Sequence, residues 1–213
     1  MPLVIGGDCT IALGVLAGFV RSYEETGLLY FDGHTDLNTP ATSASGILDS
    51  MGVAHMIGEP GTADELSHIG SRFPLLPANK IVLFGYNQNE INEIEHGVLA
   101  RHGLIHYPLA NIQRSVCIAA ARALSQIEQR SERFILHFDV DAIDFTDFPI
   151  ADVPQFSGGL SLRDALACLS VFASSPKFSA LTIAEVNPDH MDEEGVLAAR
   201  FVSDLADVLA EKH

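Results

Sequence analysis

Long apolar runs, cysteines and basic residues are all scarce in this sequence, and each shortage excludes a class of protein. The longest apolar runs are broken by Gly, Asp or His well before the ~18 residues that a membrane-spanning helix needs. The opening stretch, MPLVIGGDCT, lacks the basic segment that begins a secretory signal peptide. We therefore expect neither a membrane span nor export.

The cysteines are three in number and far apart: Cys9, Cys117 and Cys168. An odd and scattered set does not give the disulfide framework of small secreted proteins. We therefore expect a reducing, cytoplasmic compartment.

Lys and Arg number 12 against 28 Asp and Glu, which gives a formal net charge of −16 at pH 7. This charge disfavours nucleic acid and anionic membranes as partners, and it favours a cationic ligand or metal ions. An acidic surface that only keeps the protein in solution would explain the same number, so the charge alone assigns no site.

Six short apolar segments alternate with longer segments of helical period. The predicted strands are LVIGGD, GLLYFD, KIVLFGY, GLIHYP, RFILHFDVD and ALTIAEVNP. Helices are predicted over about 10–22, 47–57, 88–101, 111–129, 161–174 and 192–211. Strands that are apolar almost throughout are typical of a parallel sheet covered on both faces by helices. We therefore predict a three-layer α/β/α fold with a mostly parallel sheet.

No internal repeat, low-complexity tract or linker divides the chain. Residues 58–61 and 145–159 are predicted loops. With 213 residues, of which 47% are hydrophobic, the chain is of a suitable length for one α/β domain, and we predict a single domain over residues 1–213.

Polar side chains follow three of the predicted strands. Asp32, His34 and Asp36 follow GLLYF at spacing i, i+2, i+4, and side chains two apart on an extended backbone point the same way. Asp139 and Asp141 end another strand, and the first strand ends in GGDCT. Because ligands bind beyond the carboxyl ends of the strands in such sheets, we expect these groups to meet at one edge.

Charge counting points to metal ions at that edge. Asp32, Asp36, Asp139 and Asp141 bring a formal −4, and uncompensated carboxylates would repel and raise one another's pKa. Two divalent cations would neutralise them, and two metals ~3.5–4 Å apart form a recurrent hydrolytic site. Oxygen ligands with one or two nitrogens favour Mn over a structural zinc site. The same acids could instead be helix caps and loop residues, with DLNTP an Asx turn, but two matching motifs favour the metal interpretation.

Six segments resemble, in order and approximate spacing, the motifs of the arginase/agmatinase (ureohydrolase) family: GGDCT, FDGHTDLNTP, SGILDSMG, HFDVDAIDF, GGLSLRD and IAEVNPDHMD. The resemblance implies an arginase-like fold, two manganese ions and hydrolysis of a guanidino compound with release of urea. It also implies the ligands: Cys9, Asp32, Asp36 and Asp139 for one ion, and Asp32, His34, Asp139 and Asp141 for the other. Asp32 and Asp139 would bridge the two ions.

The resemblance implies substrate-binding positions as well. Glu185 in AEVNP matches the acid that receives the substrate guanidinium, and Asn38 in DLNTP matches a position that lines the pocket. Glu90 is the nearest acid for an amino group at the far end of the substrate, although an acid that balances the dipole of a following helix would explain it equally well. Because no Lys or Arg nearby is an obvious partner for a substrate carboxylate, an amine-ended guanidine such as agmatine fits better than an amino acid.

Two residues depart from the family pattern. Cys9 stands where GGDHS has a histidine ligand. A thiolate there would move the metal preference toward Zn or Fe, whereas the alternative is a small buried residue at a helix start. Asp49 stands where SGxxHG has a histidine thought to help with proton transfer or substrate binding, which argues against arginase itself more than against the family.

The start of the chain is a third departure, because family members usually carry additional strand–helix units before the GGDHS strand. Without those units, an open sheet edge and apolar surface would need cover from a partner or from a second copy. We therefore expect a homo-oligomer; a truncated form of a longer protein would explain the same start.

Three other functions compete with a metal hydrolase. A Cys9 nucleophile would need a base such as His34, His55 or His137, and the GG before the first helix lacks both Walker and dinucleotide-loop patterns. The third is an arginase-fold protein without turnover, serving as a metal-binding, regulatory or assembly subunit. Retention of every Asp and His ligand in the two Asp-rich motifs, together with Glu185, favours the enzyme.

Overall fold

The computed structural model describes residues 1–192 and 194–210. Six strands form one sheet in the order β1-β6-β5-β2-β3-β4, and every neighbouring pair is parallel. The strands are β1 (Leu3–Ile5), β2 (Thr26–Phe31), β3 (Ile81–Phe84), β4 (Ile105–Tyr107), β5 (Arg133–Asp139) and β6 (Phe178–Ala184). All six predicted strands are confirmed.

The helices are α1 (Ile11–Ser22), α2 (Gly52–Ile57), α3 (Asp64–Ser67), α4 (Glu93–His102), α5 (Leu109–Ile112), α6 (Val116–Glu128), α7 (Leu162–Ala173) and α8 (Val196–Ala210). The prediction over 88–101 began too early, because Asn92 caps α4. The prediction over 111–129 spans two helices, α5 and α6, and the predicted end at 211 lies outside the described residues.

Apolar side chains pack on both faces of the sheet, as the uninterrupted apolar strands predict. Every residue of β2 is buried, and alternate side chains enter opposite faces. Leu29 and Phe31 pack with α6 and α7 on one face, whereas Leu28 and Tyr30 pack with α1 and α2 on the other. The three-layer α/β/α fold is therefore confirmed.

The two central strands, β2 and β5, lie at a switch in chain direction. From β2 the chain moves outward to β3 and β4, and from β5 it moves the opposite way to β6. The register pairs Phe31 with Phe138 and Asp139 with Ala184. Asp32, the residue after β2, therefore lies beside Asp139 at the end of β5. Glu185 lies one residue beyond Ala184, the β6 partner of Asp139. Ligand sites of open α/β sheets form in the crevice at such a switch.

Apolar surface is exposed at the β1 edge of the sheet, as expected. Ile5 is 63% exposed and Val202 of α8 is 64% exposed. Both line an apolar groove of about 240 Å³ that extends to Phe201 and Leu209.

No helix in the described ranges combines the length and the apolar character that crossing a membrane requires.

The start of α4 provides a test of local stability. The Asn92 side chain accepts hydrogen bonds from the backbone N–H of Ile94 and Glu95, and the Glu95 carboxylate accepts one from Asn92 N–H at 3.1 Å. We expect Asn92→Ala to lower the free energy of unfolding by about 1 kcal/mol, measured by urea denaturation. Asn89→Ala, in the same loop and exposed, is the control, and equal stability of the two variants would contradict a stabilising cap.

Candidate metal centre

Four of the predicted ligands meet at the exits of β2 and β5. His34 Nδ1 lies 2.8 Å from Asp141 Oδ2 and 3.8 Å from Asp32 Oδ1. A single 3-10 turn, Val140–Ala142, follows Asp139, whose Oδ1 accepts the Asp141 N–H at 2.7 Å. The turn brings Asp141 back toward the sheet, so both acids of the FDVD motif face the same crevice.

Gly33 allows the two motifs to approach each other. Its N–H donates to Asp141 Oδ1 at 2.9 Å. A Cβ atom at this position would lie 2.8 Å from the same oxygen, closer than real Cβ contacts. A side chain here would therefore separate the β2 and β5 exits.

Asp36 reaches the cluster by a different path from the one expected. Its φ of +52° places the backbone in the left-handed region, so the extended chain expected from the spacing does not continue to this residue. The carboxylate instead accepts a hydrogen bond from the hydroxyl of Tyr30, which belongs to β2 itself. Asp36 still raises the pKa of Asp32, second only to burial.

Cys9 belongs to the cluster. It lies between β1 and α1, is 1% exposed, and its Sγ lies 2.7 Å from Asp139 Oδ2 and 3.6 Å from Asp32 Oδ2. Burial, followed by Asp139 and Asp32, raises the pKa of the thiol. A neutral thiol is a poor nucleophile, so the geometry argues against nucleophilic catalysis by Cys9. Asp8, in contrast, is exposed and accepts from Thr10 N–H outside the cluster.

The sequence presents His137 only as a possible base for Cys9. Its Nε2 lies 2.9 Å from Cys9 Sγ, its Nδ1 lies 2.7 Å from Thr182 Oγ1, and its ring stacks on Tyr30 at 4.4 Å. The available signal was its position two residues before Asp139, since side chains two apart in a strand face the same way.

The carboxylates of the cluster are buried and close together without enough positive charge. Burial first, and neighbouring acids second, raise the pKa values of Asp32 and Asp139; burial and Asp49 raise that of Asp36. Within the described residues, the salt bridges to these acids come from His34 alone. Burial would lower the pKa of His34, but Asp141 and other acids raise it to about 10. Burial and mutual repulsion therefore favour the protonated forms of Asp32, Asp36 and Asp139 when no cation is bound.

These donors fit two divalent cations. Two groups have ligand atoms that all lie within 4.8 Å of one another: Cys9, Asp32 and His137, and Asp32, His34 and Asp141. Both groups share Asp32. Oxygen, nitrogen and sulfur donors grouped around a shared acid suit a pair of divalent ions.

Glu185 lies at the exit of β6. It is 6% exposed, its φ is +63°, and its N–H donates to Gly7 C=O at 2.8 Å. Burial, followed by Asp49 and Asp141, raises the pKa of its carboxyl to about 8. A left-handed residue that is neither Gly nor Asn is uncommon and is concentrated at functional sites.

A cavity of about 290 Å³ opens beside His34 and Asp36, and its wall includes Asn38 and Glu90. Glu90 Oε2 lies 3.8 Å from His34 Nε2. Because α4 begins at Glu93, Glu90 lies outside its first turn, so the helix-dipole explanation for Glu90 is wrong.

Gln155 was missed from the sequence. Its Nε2 lies 2.8 Å from His34 Nε2 and donates to Glu90 Oε2 at 3.0 Å. Gln155 comes from the predicted loop over 145–159, and nothing in its local sequence indicates that it reaches the β2 exit. It connects the candidate ligand His34 to the cavity wall.

Asp49 lies beside Cys9. Its Oδ1 accepts the backbone N–H of Cys9 at 2.8 Å. Its charge raises the pKa values of Asp36 and Glu185. The residue therefore faces the crevice, although part of its hydrogen-bonding capacity is used to hold the Cys9 backbone.

The chain is similar to arginases over almost its whole length. The family model described as the arginase family matches residues 1–207. Arginase from Bacillus caldovelox is 30% identical over 212 residues, covering 99% of this chain and 69% of that protein. Arginase-1 from Homo sapiens is 31% identical over 191 residues, covering 88% of this chain and 58% of that protein. The solved structure of the Bacillus caldovelox arginase superposes with a TM-score of 0.88 at 27% identity, over 98% of this chain and 68% of that one.

The raised pKa values predict how metal binding depends on pH. An acid whose pKa is raised on folding stabilises the metal-free fold at low pH, and this contribution is lost as the pH rises through the folded value. Binding cations must displace those protons. We therefore expect the melting temperature of metal-free protein to fall, and the increase caused by Mn²⁺ to grow, between about pH 5 and pH 8.

The measurement compares thermal unfolding in EDTA with unfolding in excess Mn²⁺. At ~100 times its Kd, each ion should add roughly 2.7 kcal/mol to the free energy of unfolding. Asp139→Asn should reduce the Mn²⁺ effect, whereas Asp207→Asn, exposed on α8, should leave it intact. A Mn²⁺ effect that is independent of pH would contradict the proton displacement.

Proposed function

Since this chain belongs to the arginase family, we propose that it is a binuclear metal-dependent hydrolase that cleaves a C–N bond of a linear guanidino compound and releases urea. The observation that carries the proposal is the meeting of Asp32, His34, Asp139 and Asp141 at the β2/β5 switch, with Glu185 beside them. These acids come from separate strands and are buried together, which costs free energy unless they bind cations.

The proposed cofactors are two divalent ions, with Mn as the expected metal and Zn or Fe as alternatives because of Cys9. Cys9, Asp32, Asp36 and Asp139 would hold one ion, and Asp32, His34, Asp139 and Asp141 the other. When bound, such a pair supplies a water that is nucleophilic near neutral pH. Catalytic roles are proposed for Asp32, His34, Asp139 and Glu185.

Glu185 would orient the substrate. A planar guanidinium can form paired hydrogen bonds with a carboxylate, and this fixes the direction from which its carbon is approached. Burial raises the pKa of Glu185 to about 8, so a bound cation would favour the charged carboxylate that these bonds require. Asp49 is proposed to contact the same end of the substrate.

The cavity wall supports the proposal of a cationic substrate. Asp36, Glu90 and Glu95 contribute to the wall, and its described residues include no Lys or Arg. A substrate carboxylate would find no basic partner there, whereas an amino group could approach Glu90, with Asn38 beside it. We therefore propose that an amine-ended guanidine such as agmatine is preferred over arginine.

A second candidate is a metal-binding subunit without turnover. The specific observation in its favour is Asp49, which stands in place of the family histidine and uses one carboxylate oxygen to hold Cys9 N–H. A residue committed to the backbone is less available for proton transfer. Assays of metal occupancy and urea release on the same preparation separate the two functions.

Three further proposals concern the protein as a whole: a single domain over residues 1–213, a cytoplasmic location and a homo-oligomer. The shared sheet and its two cores support the first, and the scattered cysteines support the second. The exposed apolar groove at the β1 edge supports the third.

The function is tested by urea release over a panel of guanidines, including agmatine and arginine, with Mn, Fe and Zn. Asp139→Ala should reduce activity to background, because it removes a proposed bridging ligand. Glu185→Gln should lower kcat/KM by roughly 10- to 150-fold, because losing a hydrogen bond to a charged group costs about 1.5–3 kcal/mol.

Glu132→Gln is the matched control, because Glu132 is exposed at the opposite end of β5 and should retain full activity. Full metal occupancy with no turnover of any guanidine would overturn the proposal that the protein is an enzyme and would support the metal-binding subunit. Turnover of arginine ahead of every amine-ended guanidine would overturn the substrate preference alone.

A further inference from the structure

A histidine outside the ligand set proposed above lies in direct contact with Cys9. His137 is fully buried, and its Nε2 lies 2.9 Å from Cys9 Sγ. The same sulfur lies 2.7 Å from Asp139 Oδ2 and 3.6 Å from Asp32 Oδ2. Ligand atoms of Cys9, Asp32 and His137, which are sulfur, oxygen and nitrogen, therefore all lie within 4.8 Å of one another.

We propose that His137 and Cys9 together ligate the ion on the β1 side of the pair, so that this position is a nitrogen–sulfur–oxygen site. The other position, with Asp32, His34 and Asp141, has no sulfur donor. The two positions are therefore chemically unequal, and the β1-side position takes a thiophilic ion such as Zn²⁺, Co²⁺ or Fe²⁺ in preference to Mn²⁺. The inference builds on the proposed binuclear centre but concerns its metals, not its substrate.

Thr182 holds His137 in the orientation that ligation needs. Its Oγ1 lies 2.7 Å from His137 Nδ1, and the two residues are paired in the register of β5 and β6. When Nδ1–H donates to this hydroxyl, Nε2 presents its lone pair toward Cys9. Metal-bound histidines are usually oriented in this way through their second nitrogen, and stacking on Tyr30 at 4.4 Å restricts the ring further.

His137 also supplies the nitrogen donor that is missing at position 9. The motif GGDCT replaces the family's histidine ligand by Cys9, which removes a nitrogen donor from the β1 exit. His137 supplies an imidazole from β5, and Cys9 adds a sulfur. The exchange therefore changes the type of site without reducing the number of donors.

The spacing of the donors is compatible with a small ion. Ligand atoms around a tetrahedral zinc at about 2.0–2.3 Å lie roughly 3.3–3.8 Å apart. The distance from the sulfur to the Asp32 oxygen, 3.6 Å, is within this range. The sulfur is closer to the His137 nitrogen, at 2.9 Å, and to the Asp139 oxygen, at 2.7 Å, so ligation needs outward shifts of both side chains by less than about 1 Å. Binding replaces the thiol proton by the metal and releases that proton to solvent.

The test is a cobalt titration of metal-free protein, followed in the near-ultraviolet, where a cobalt–thiolate bond produces a charge-transfer band. The first equivalent of Co²⁺ should produce the band in the natural protein, and Cys9→Ser should abolish it. His137→Gln should keep the band but weaken the affinity of the first ion by at least about tenfold, the loss that even an outer-sphere change produces. His96→Gln, exposed on α4, should leave the affinity unchanged.

A measurement without any variant guards against misfolding of His137→Gln. X-ray absorption of the natural protein with one equivalent of Zn²⁺ should show sulfur and imidazole scattering around the same ion. Sulfur with oxygen neighbours only, or no sulfur at all, would overturn the inference. So would unchanged cobalt affinity in a folded His137→Gln variant.

These readouts are independent of catalysis. A sulfur- and imidazole-bound ion in a protein that hydrolyses no guanidine would overturn the proposed hydrolase and leave the inference in place. Urea release by a protein whose first bound ion has no sulfur ligand would support the proposed hydrolase and overturn the inference about His137 and Cys9.

Discussion

Electrostatic repulsion among four buried aspartates at the β2 and β5 exits is the constraint on which the structure depends. The parallel register places Asp32 level with Asp139, and the turn after β5 returns Asp141 to the same crevice. Carboxylates this close and this buried destabilise a fold unless protons or cations neutralise them. Within the described residues, His34 alone forms salt bridges to these acids, and the proposed cations would supply the rest of the neutralising charge.

Several features make that arrangement possible. Gly33 lets Asp141 approach the β2 exit, and Tyr30 holds Asp36 from within the strand. Asp36 and Glu185 both occupy left-handed backbone, which costs of order 1–3 kcal/mol per residue unless the surrounding structure imposes it. Backbone strain and charge repulsion are therefore concentrated in the same crevice, as expected of a site selected for function over stability.

The sequence predicted the parts of this site that local pattern determines. Strands buried on both faces leave apolar runs, so all six strands and the positions of their polar exits could be predicted. The left-handed backbone at Asp36 could not be predicted, because it depends on Tyr30 and on the path of the following loop. The orientation of His137 toward the same edge could be predicted from its position two residues before Asp139, but its contact with Cys9 could not. Gln155 and the true surroundings of Glu90 depend on contacts between distant segments, such as Gln155 with His34, and single-sequence patterns do not encode them.

The number of divalent ions bound per chain tests the central claim most directly. We predict about two ions per chain by elemental analysis of protein purified without chelator, with both lost when Asp32, which both candidate groups share, is replaced by Asn. Protein that binds no divalent ion at near-neutral pH and is as stable in EDTA as in metal would contradict the account.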